Sequence, residues 1–410
     1  MRARVEEIVS STKGRLVKGD AAREVHGVST DTRSIAPEQL FVALEGPNFD
    51  GNEFALAAME SKPGALLLRD GHPSISGIVE RLPEEAVVVL HPAPRSALGQ
   101  LASWHRARLN VPVIGITGSC GKTTTKNVLV HLLETSCRVV GSPNSFNNDI
   151  GVPHTLFLAD EATEALVVEL GTNSPGEIAA LCRTARPTGA VITNVGAAHL
   201  EGLGSIEGVA DEKGALAAKL DSDGFCVLNA NCPWTPAIAE RTSAEVITFS
   251  VEGDGDLDAI DLYTHGAGTT FRLDGREVTS PLVGAHNVEN LLAALAACRG
   301  MGLELDAVLP VLSRQVPLVV HADRASDIEA ATRLAETYGI RMILAGATEA
   351  WRHAEALAAK QIPVILDPIT NAPESFDRYF ARADSAAILA KAGVQVILTT
   401  SDFTSHNLRK

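Results

Sequence analysis

A glycine-rich turn between an apolar run and a helical segment constrains the fold of this chain more than any other feature. Residues 115–126 read GITGSCGKTTTK, with the apolar run 111–114 before them and a helical pattern over 127–133 after them. Backbone N–H groups at a helix start bind anions, a lysine there reaches phosphates, and a threonine hydroxyl ligates Mg²⁺. The turn predicts a nucleotide-phosphate loop formed by Gly118, Ser119, Cys120, Gly121, Lys122, Thr123 and Thr124.

The loop departs from the common Walker A pattern at one position. The GK[ST] ending is present, but Ile116 stands where the eight-residue pattern has glycine. The alternative is a strand-to-helix turn with an incidental lysine, and the strand and helix on either side argue against it. Cys120 is interpreted as a small loop residue, because no histidine lies close to it in sequence to activate a nucleophile.

Near-continuous apolar runs separated by helical segments predict an α/β fold with a buried parallel sheet. The clearest strands are VPVIGIT at 111–117, EALVVEL at 164–170, GAVITNV at 189–195 and GFCVLNA at 224–230. The turn-rich stretch 245–275 predicts an antiparallel annex, and NVENLLAALAACRGMG predicts a helix capped by Gly300 or Gly302. This central domain is expected to span residues 96–312.

Residues 1–95 predict a small α/β domain in front of the central one. Strands are expected within 39–46 and 85–91. The stretch 53–70 is expected to hold a helix, a turn at Pro63 and Gly64, and a strand. HPAPRSALGQ is interpreted as a linker, followed by a helix from Ser96 to Leu109.

The chain changes character over residues 313–410. Four strands are predicted, VPLVVHAD, IRMILAGA, IPVILDP and VQVILTTSD, with helices between them. Such a βα array is either half of a (β/α) barrel or a small open sheet. The segment resembles the C-terminal half of an amidohydrolase barrel of the imidazolonepropionase-like kind. The chain has no HxH pair to bind that family's metal, so His321 and Asp402 are interpreted as remnants or polar strand ends.

Composition and charge exclude several classes of function. The formal net charge is −15, whereas non-specific binding to nucleic acid requires a basic surface. The six cysteines form no CxxC pair, which argues against a zinc cage and fits a reducing, cytoplasmic setting. The N-terminal segment lacks the apolar core of a signal peptide, and no run of about 18 apolar residues predicts a membrane span.

Polar residues lie at the ends of two predicted strands. Glu169 ends one strand, Asn194 ends the next, and His199 follows shortly after. Ligands of doubly wound sheets bind beyond the carboxyl ends of the strands. Glu169 and His199 are therefore candidates for metal ligands or catalytic groups, although a lone strand-end glutamate is more often a capping or surface residue.

Several long motifs in one order resemble those of the Mur ligases. They are GVSTDTRSIAPEQLFVALEGPNFDGNEF, GITGSCGKTTTK, NSFNNDIGVPHT, VVELGTNSPGEIAALCRTARPTGAVITNVGAAHLEGLGSIEGVADEKG and LVGAHNVENLLAALAA. The resemblance covers residues 20–312. Within the family, NSFNNDIGVP favours the branch that adds a dipeptide.

The resemblance implies an ATP-dependent carboxylate–amine ligase of peptidoglycan precursor synthesis. A carboxylate is activated by ATP as an acyl phosphate, and an amine then attacks it, with Mg²⁺ as the second cofactor. The implied substrates are UDP-MurNAc-tripeptide and D-Ala-D-Ala. Both steps gather negative charge on oxygen, so cations and hydrogen-bond donors must converge there.

The resemblance also implies roles for single residues. Lys122 would stabilise the γ-phosphate in transfer, Thr123 and Glu169 would ligate magnesium, and His199 would help hold the other ion. Lys213 would be carbamylated by CO₂ and so become a metal ligand, whereas the sequence alone favours an ordinary exposed lysine. The remaining implied contacts are Asn287 and Asn290 with the nucleotide, Asn147 and Asn148 with the muramoyl part, and Ser29, Thr30 and Arg33 with uridine diphosphate.

Two asparagines qualify this assignment. Asn287 is also a candidate N-cap of the helix that follows it, and the two roles are compatible. Asn231 stands where the family usually has aspartate, which weakens a nucleotide contact at that position.

The resemblance to the ligases is expected to end where the family's third domain begins. That domain normally brings an arginine at its entry and a motif of the Asp-Ser-Tyr-Asn-Ala-Asn-Pro type. Neither is found after residue 312. The chain is therefore interpreted as a fusion of two ligase domains with a half barrel, joined near LPVLSRQVPLVV. Exposed edges would make the half barrel pack on the ligase domains or self-associate. The alternative function is an ATP- and UDP-sugar-binding module that has lost ligase activity.

Overall fold

The computed structural model describes residues 1–46, 49–265, 268–280, 282–305, 318–338, 341–366 and 381–399. The backbone forms two compact units. One comprises Met1–Ala259 with Glu289–Leu305, and the other comprises Ile260–Val288 with Asp306–Lys410. The domain boundary predicted at 95 stays a prediction. The boundary at 312, most of the joint at 309–320, and Asp402 lie outside the described residues.

The N-terminal part of the first unit contains a five-stranded sheet. In spatial order its strands are Arg15–Lys18, Val88–His91, Ala65–Arg69, Leu40–Val42 and Val28–Ser29. Only the first of these runs antiparallel to its neighbour. Two small antiparallel pairs join Arg2–Arg4 to Glu24–His26 and Glu45–Gly46 to Phe49–Asp50. The helices are Val5–Thr12, Ala55–Ala58 and Ile75–Arg81, with 3₁₀ turns at Gly51–Phe54 and Met59–Ser61.

The central sheet confirms the predicted α/β fold. Its strands in spatial order are Val139–Gly141, Ala165–Glu169, Val113–Thr117, Gly189–Ile192, Phe225–Asn229, Glu245–Ser250 and Leu257–His265, all parallel to their neighbours. The helices are Pro94–Ala107, Lys122–Leu133, Gly151–Phe157, Glu177–Ala185, Leu200–Leu203, Ile206–Ala217, Thr235–Ala239 and Ala285–Gly300. Parallel strands bring their carboxyl ends to one edge, where Ile116 pairs with both Glu169 and Val191.

Two expectations for this region need correction. The antiparallel annex was expected from residue 245, but Glu245–Ser250 runs parallel to Phe225–Asn229 because Thr235–Ala239 forms a helical crossover between them. Gly268–Leu273 and Arg276–Ser280, in the second unit, do form an antiparallel pair. The linker is also shorter than expected, since its Pro94 already begins a helix, a position that proline favours.

The C-terminal end of the helix Ala285–Gly300 is decided by Gly302. This glycine has a φ of 78°, and the N–H of Leu303 donates to the carbonyl of Cys298 at 3.0 Å. That is the hydrogen bond of a Schellman cap, so Gly302 and not Gly300 caps the helix.

The C-terminal part of the second unit is a parallel βα array, as predicted. Its strands are Leu318–Ala322, Met342–Gly346, Val364–Leu366 and Val396–Leu398, which pair in the order of the chain. The helices are Ala325–Tyr338, Ala354–Ala359 and Ser385–Ala392, with a 3₁₀ turn at Ala350–His353. Leu344, Leu357, Val364 and Leu389 are buried in a core of its own. Across the described part of the chain, no helix combines the length and apolarity needed to cross a membrane.

Candidate functional site

The phosphate loop, residues 118–123, joins the strand Val113–Thr117 to the helix Lys122–Leu133. Gly121 precedes the helix with a φ of 80°, a conformation that disfavours residues with a Cβ. A Cβ at Gly121 would overlap the side chain of Asn290, and one at Gly118 would overlap Thr193. Both glycines are therefore required by close approach, which supports the interpretation of the loop as a built structure.

Lys122 is held inside this loop. Its Nζ donates to the carbonyl of Gly118 at 2.8 Å. Burial lowers the pKa of Lys122, while the negative charge of Glu169 acts in the opposite direction. The ammonium group thus lies at the N-terminus of the helix, where backbone N–H groups also favour an anion.

Thr123, Glu169 and Asn147 form one hydrogen-bonded group. The hydroxyl of Thr123 donates to Glu169 Oε2 at 2.9 Å, and Asn147 Nδ2 donates to Oε1 at 2.9 Å. Glu169 is only 1% exposed and ends the strand beside Val113–Thr117. Its N–H donates to Ser142 Oγ at 3.0 Å. The carboxylate is therefore fixed at the carboxyl edge of the sheet, next to the phosphate loop.

Lys213 lies on the helix Ile206–Ala217 and is 1% exposed, contrary to the ordinary exposed lysine that the sequence alone favours. Burial is the main cause that lowers its pKa to about 8, and the positive charge of Lys122 adds to the effect. A larger share of Lys213 is therefore neutral near pH 8 than for a solvated lysine. A neutral amine is the nucleophilic form of the side chain.

A cavity of about 400 Å³ brings five of the predicted site residues together. They are Lys122, Asn147, Asn148, His199 and Lys213. The wall also includes Arg95, Asp149, Gly171, Thr172, Asn173, Glu177, Ala180 and Leu181. His199 is exposed and has a φ of 54°, an uncommon backbone conformation that often marks functional positions. The cavity thus combines cations, amides and an imidazole beside the buried Glu169.

The two asparagines of the helix Ala285–Gly300 lie in different surroundings. Asn290 is buried and accepts a hydrogen bond from Thr125 Oγ1 at 3.3 Å, beside Gly121. Asn287 belongs to the second unit, where its Nδ2 donates to the carbonyl of Val283 at 3.0 Å. The helix begins at Ala285, so Asn287 lies inside its first turn and is not the N-cap that the alternative interpretation expected.

Residues predicted to contact the muramoyl and uridine diphosphate groups meet through one short helix. Asn148 Oδ1 accepts from the N–H groups of Ile150 and Gly151, at the start of the helix Gly151–Phe157. His154 of that helix lies 3.1 Å from Thr30 Oγ1. The structure therefore places the segment with Thr30 beside the segment that begins at Asn148.

Ser29 and Arg33 make local contacts. Ser29 is buried and its hydroxyl donates to the carbonyl of Asp31 at 3.0 Å. Arg33 is 87% exposed and pairs with Asp31 at 2.6 Å, an interaction that lowers the pKa of the Asp31 carboxyl to about 2. The guanidinium of Arg33 is thus directed at Asp31 in this structure.

Sequence reasoning missed two buried groups that support the site. The carboxylate of Glu212, which precedes Lys213, accepts from the N–H groups of Gly176 and Ile178 at 2.6 and 2.7 Å. Lys126 donates from Nζ to the carbonyls of Ser142 and Asn144 at 2.8 and 2.7 Å. In the sequence, both residues are recognisable only as charged residues on otherwise apolar helix faces. That pattern does not identify the groups with which their side chains form hydrogen bonds.

Comparison with known proteins decides the family. Residues 116–298 match the Mur ligase middle domain. The UDP-N-acetylmuramoyl-tripeptide–D-alanyl-D-alanine ligase of Bacillus subtilis is 33% identical over 433 aligned positions, which cover 99% of this chain and 90% of the relative. The chain belongs to the Mur ligase family. The Escherichia coli enzyme of the same name is 36% identical over 68% of this chain and 61% of its own length.

Solved Mur ligase structures share the fold. MurF from Acinetobacter baumannii superposes with a TM-score of 0.70 at 22% identity, covering 98% of this chain and 90% of the relative. MurF ligase from Thermotoga maritima, solved in complex with ADP, gives a TM-score of 0.61 at 21% identity, covering 92% and 94%.

The comparisons give no support to the resemblance of residues 313–410 to an amidohydrolase half barrel. The alignment with the Bacillus subtilis ligase covers 99% of the chain and so extends into these residues. The fusion of two ligase domains with a half barrel stays a prediction.

Proposed function

We propose that this Mur ligase uses ATP to join D-Ala-D-Ala to UDP-MurNAc-tripeptide through an acyl phosphate. The observation that carries the proposal is the alignment with the Bacillus subtilis ligase along nearly the whole of both chains. The alternative, a binding module that has lost ligase activity, rests on the third-domain motifs that are absent after residue 312.

Nucleotide binding is assigned to the phosphate loop. Gly118, Ser119, Cys120, Gly121 and Thr124 would form the loop around the phosphates, and Asn290 and Asn287 would contact the nucleotide. Lys122, whose ammonium lies at the helix N-terminus, would offset the charge that develops on the γ-phosphate. Transfer of that phosphoryl group to the substrate carboxylate gives the acyl phosphate and ADP.

Thr123 and Glu169 fit a magnesium ion. Their oxygen atoms meet 2.9 Å apart, and hydroxyl and carboxylate oxygens are ligands that Mg²⁺ prefers. Among the described residues, no group of three or more His, Cys, Asp or Glu side chains could hold a metal by itself. Nucleotide phosphates would thus complete the coordination, and the ion would neutralise their charge. His199, on the same cavity, is the proposed holder of the other ion.

Lys213 fits a carbamate. Its lowered pKa favours the neutral amine, which can attack CO₂, lose a proton and become an anion. A carbamate on the wall of this cavity would supply a further oxygen ligand for a magnesium ion near Lys122. A protonated Lys213 without the carbamate would instead add a second positive charge beside that of Lys122.

Substrate contacts are assigned along the path from the cavity to the N-terminal sheet. Asn147 and Asn148 line the cavity and would meet the muramoyl part. Ser29, Thr30 and Arg33 would contact the uridine diphosphate. The contact between Thr30 and His154 supports this arrangement, because it joins the two segments directly.

An oxygen-transfer experiment tests the proposal. UDP-MurNAc-tripeptide carrying ¹⁸O in its terminal carboxylate is incubated with ATP, Mg²⁺ and D-Ala-D-Ala, with Lys122→Ala as the control. An acyl phosphate transfers label to the released phosphate as the dipeptide is joined, which mass spectrometry detects. Nucleotide binding without product or labelled phosphate would refute the proposal and favour a binding module.

A further inference from the structure

The phosphate loop is held by one side chain from a neighbouring strand end. Asn194 Oδ1 accepts hydrogen bonds from the N–H groups of both Ser119 and Cys120, each at 3.1 Å. Asn194 Nδ2 lies 2.9 Å from Cys120 Sγ. The backbone carbonyl oxygen of Asn194 also accepts from the Ser119 N–H at 3.1 Å. A single amide thus contacts two consecutive loop residues.

Residues on both sides of Asn194 extend this contact. Thr193 Oγ1 donates to the carbonyl of Cys120 at 2.6 Å. The hydroxyl of Ser119 donates to the carbonyl of Gly196 at 3.0 Å and accepts from its N–H at 2.8 Å. The first half of the loop is therefore bonded along its length to residues 193–196.

The second half of the phosphate loop is where an anion would bind. The N–H groups of Gly121, Lys122 and Thr123 lie at the start of the helix, where the first N–H groups have no intrahelical acceptor. These groups point to where an anion binds a helix N-terminus. The Oδ1 atom of Asn194 accepts from the other two N–H groups, those of Ser119 and Cys120. Because the amide is neutral, it places no negative charge next to that anion.

We propose that Asn194 is the positioning residue of the phosphate loop, whose side-chain amide fixes residues 119 and 120 and leaves the helix-start N–H groups for the nucleotide phosphates. The inference rests on the proposed function, because it takes the anion to be a nucleotide. It assigns to Asn194 a role that differs from those of Lys122 and Thr123, since Asn194 acts through the loop.

Calorimetric titration of the full chain with Mg²⁺-ADP and Mg²⁺-ATP tests the inference. The variants are Asn194→Ala, Asn194→Asp and, as a matched control, Asn110→Ala, an exposed asparagine before the central sheet. Asn194→Ala loses the acceptor, and we expect its Kd for ADP to rise about tenfold or more from the two lost hydrogen bonds. Asn110→Ala is expected to bind as wild type does.

Asn194→Asp separates positioning from a general structural role. Its carboxylate still accepts both N–H groups, so the thermal stability is expected to stay near that of wild type. Its charge repels the phosphates, so the rise in Kd is expected to be larger for ATP than for ADP and to shrink as salt is added. A merely structural residue would change both nucleotides equally and would not respond to salt.

The outcomes distinguish the inference from the function on which it rests. If wild type binds neither nucleotide, the proposed function fails and the inference fails with it. If wild type binds but Asn194→Ala binds as tightly or more tightly, only the inference is overturned. If Asn194→Ala does not fold, equal affinities of Asn194→Asp and wild type for ATP would overturn it.

Discussion

Replacing Gly121 by alanine introduces a methyl group where the phosphate loop meets the side chain of Asn290. The new Cβ would overlap Asn290 Oδ1 and lie 3.0 Å from its Cγ and 3.4 Å from its Nδ2. The whole amide must therefore move, which breaks its hydrogen bond with Thr125. The backbone adds a second penalty, because a φ of 80° costs a residue with a Cβ about 1–2 kcal/mol.

Gly71 offers a matched control for this variant. It has the same φ of 80°, but a Cβ there would have no atom within 4 Å. Gly71→Ala carries the backbone penalty alone, and the effect of alanine on the unfolded chain is shared by both variants. The lost hydrogen bond and the displaced buried amide should make Gly121→Ala less stable than Gly71→Ala by about 1–3 kcal/mol.

Urea denaturation followed by circular dichroism measures both variants against wild type. The double variant Gly121→Ala with Asn290→Ala should lose less than the sum of the single variants, because the overlap is absent. Equal free energies of unfolding for Gly121→Ala and Gly71→Ala would refute the reasoning, since contact with Asn290 would then contribute nothing.

Three further predictions concern the cavity and the phosphate loop. In CO₂-depleted buffer, Lys213→Met should raise the free energy of unfolding by about 2–3 kcal/mol below pH 8. This gain should shrink towards pH 10.5, because folded wild type binds fewer protons than the unfolded chain across that window and its own stability therefore rises with pH. A gain that does not change with pH would contradict the buried charge. His199→Ala should raise the Mg²⁺ concentration needed for half-maximal turnover, while His131→Ala, at a partly exposed histidine, should not. Identical titrations of His199→Ala and wild type would remove His199 from the site. Cys120 is exposed, so iodoacetamide should modify it, and ATP should slow that reaction; an unchanged rate at saturating ATP would place the nucleotide elsewhere.

The parts of the fold that follow from local pattern could be predicted from the sequence. Apolar runs such as Val113–Thr117 and Ala165–Glu169 are buried on both faces, and that pattern specifies a parallel sheet directly. The strand Glu245–Ser250 was misjudged because pairing direction depends on the crossover helix before it, whereas its own residues carry ordinary strand propensity. Local pattern therefore fixes the elements but not every partner.

The candidate site shows the same limit. The loop glycines and Lys122 could be found because a phosphate loop is contiguous in sequence. Glu169 and His199 could be suspected because strand ends converge at one edge of the sheet. The burial of Lys213 and the hydrogen bonds of Asn194 could not, because both depend on which side chains other elements bring close.

Phosphate release from Mg²⁺-ATP and UDP-MurNAc-tripeptide, measured with and without D-Ala-D-Ala, tests the central claim most directly. Wild type should release phosphate in step with the dipeptide joined. Lys122→Ala should fold but release none, because the loop is built from backbone and Lys122 supplies the charge. Saturable nucleotide binding without dipeptide-dependent release, or full turnover by Lys122→Ala, would contradict the account.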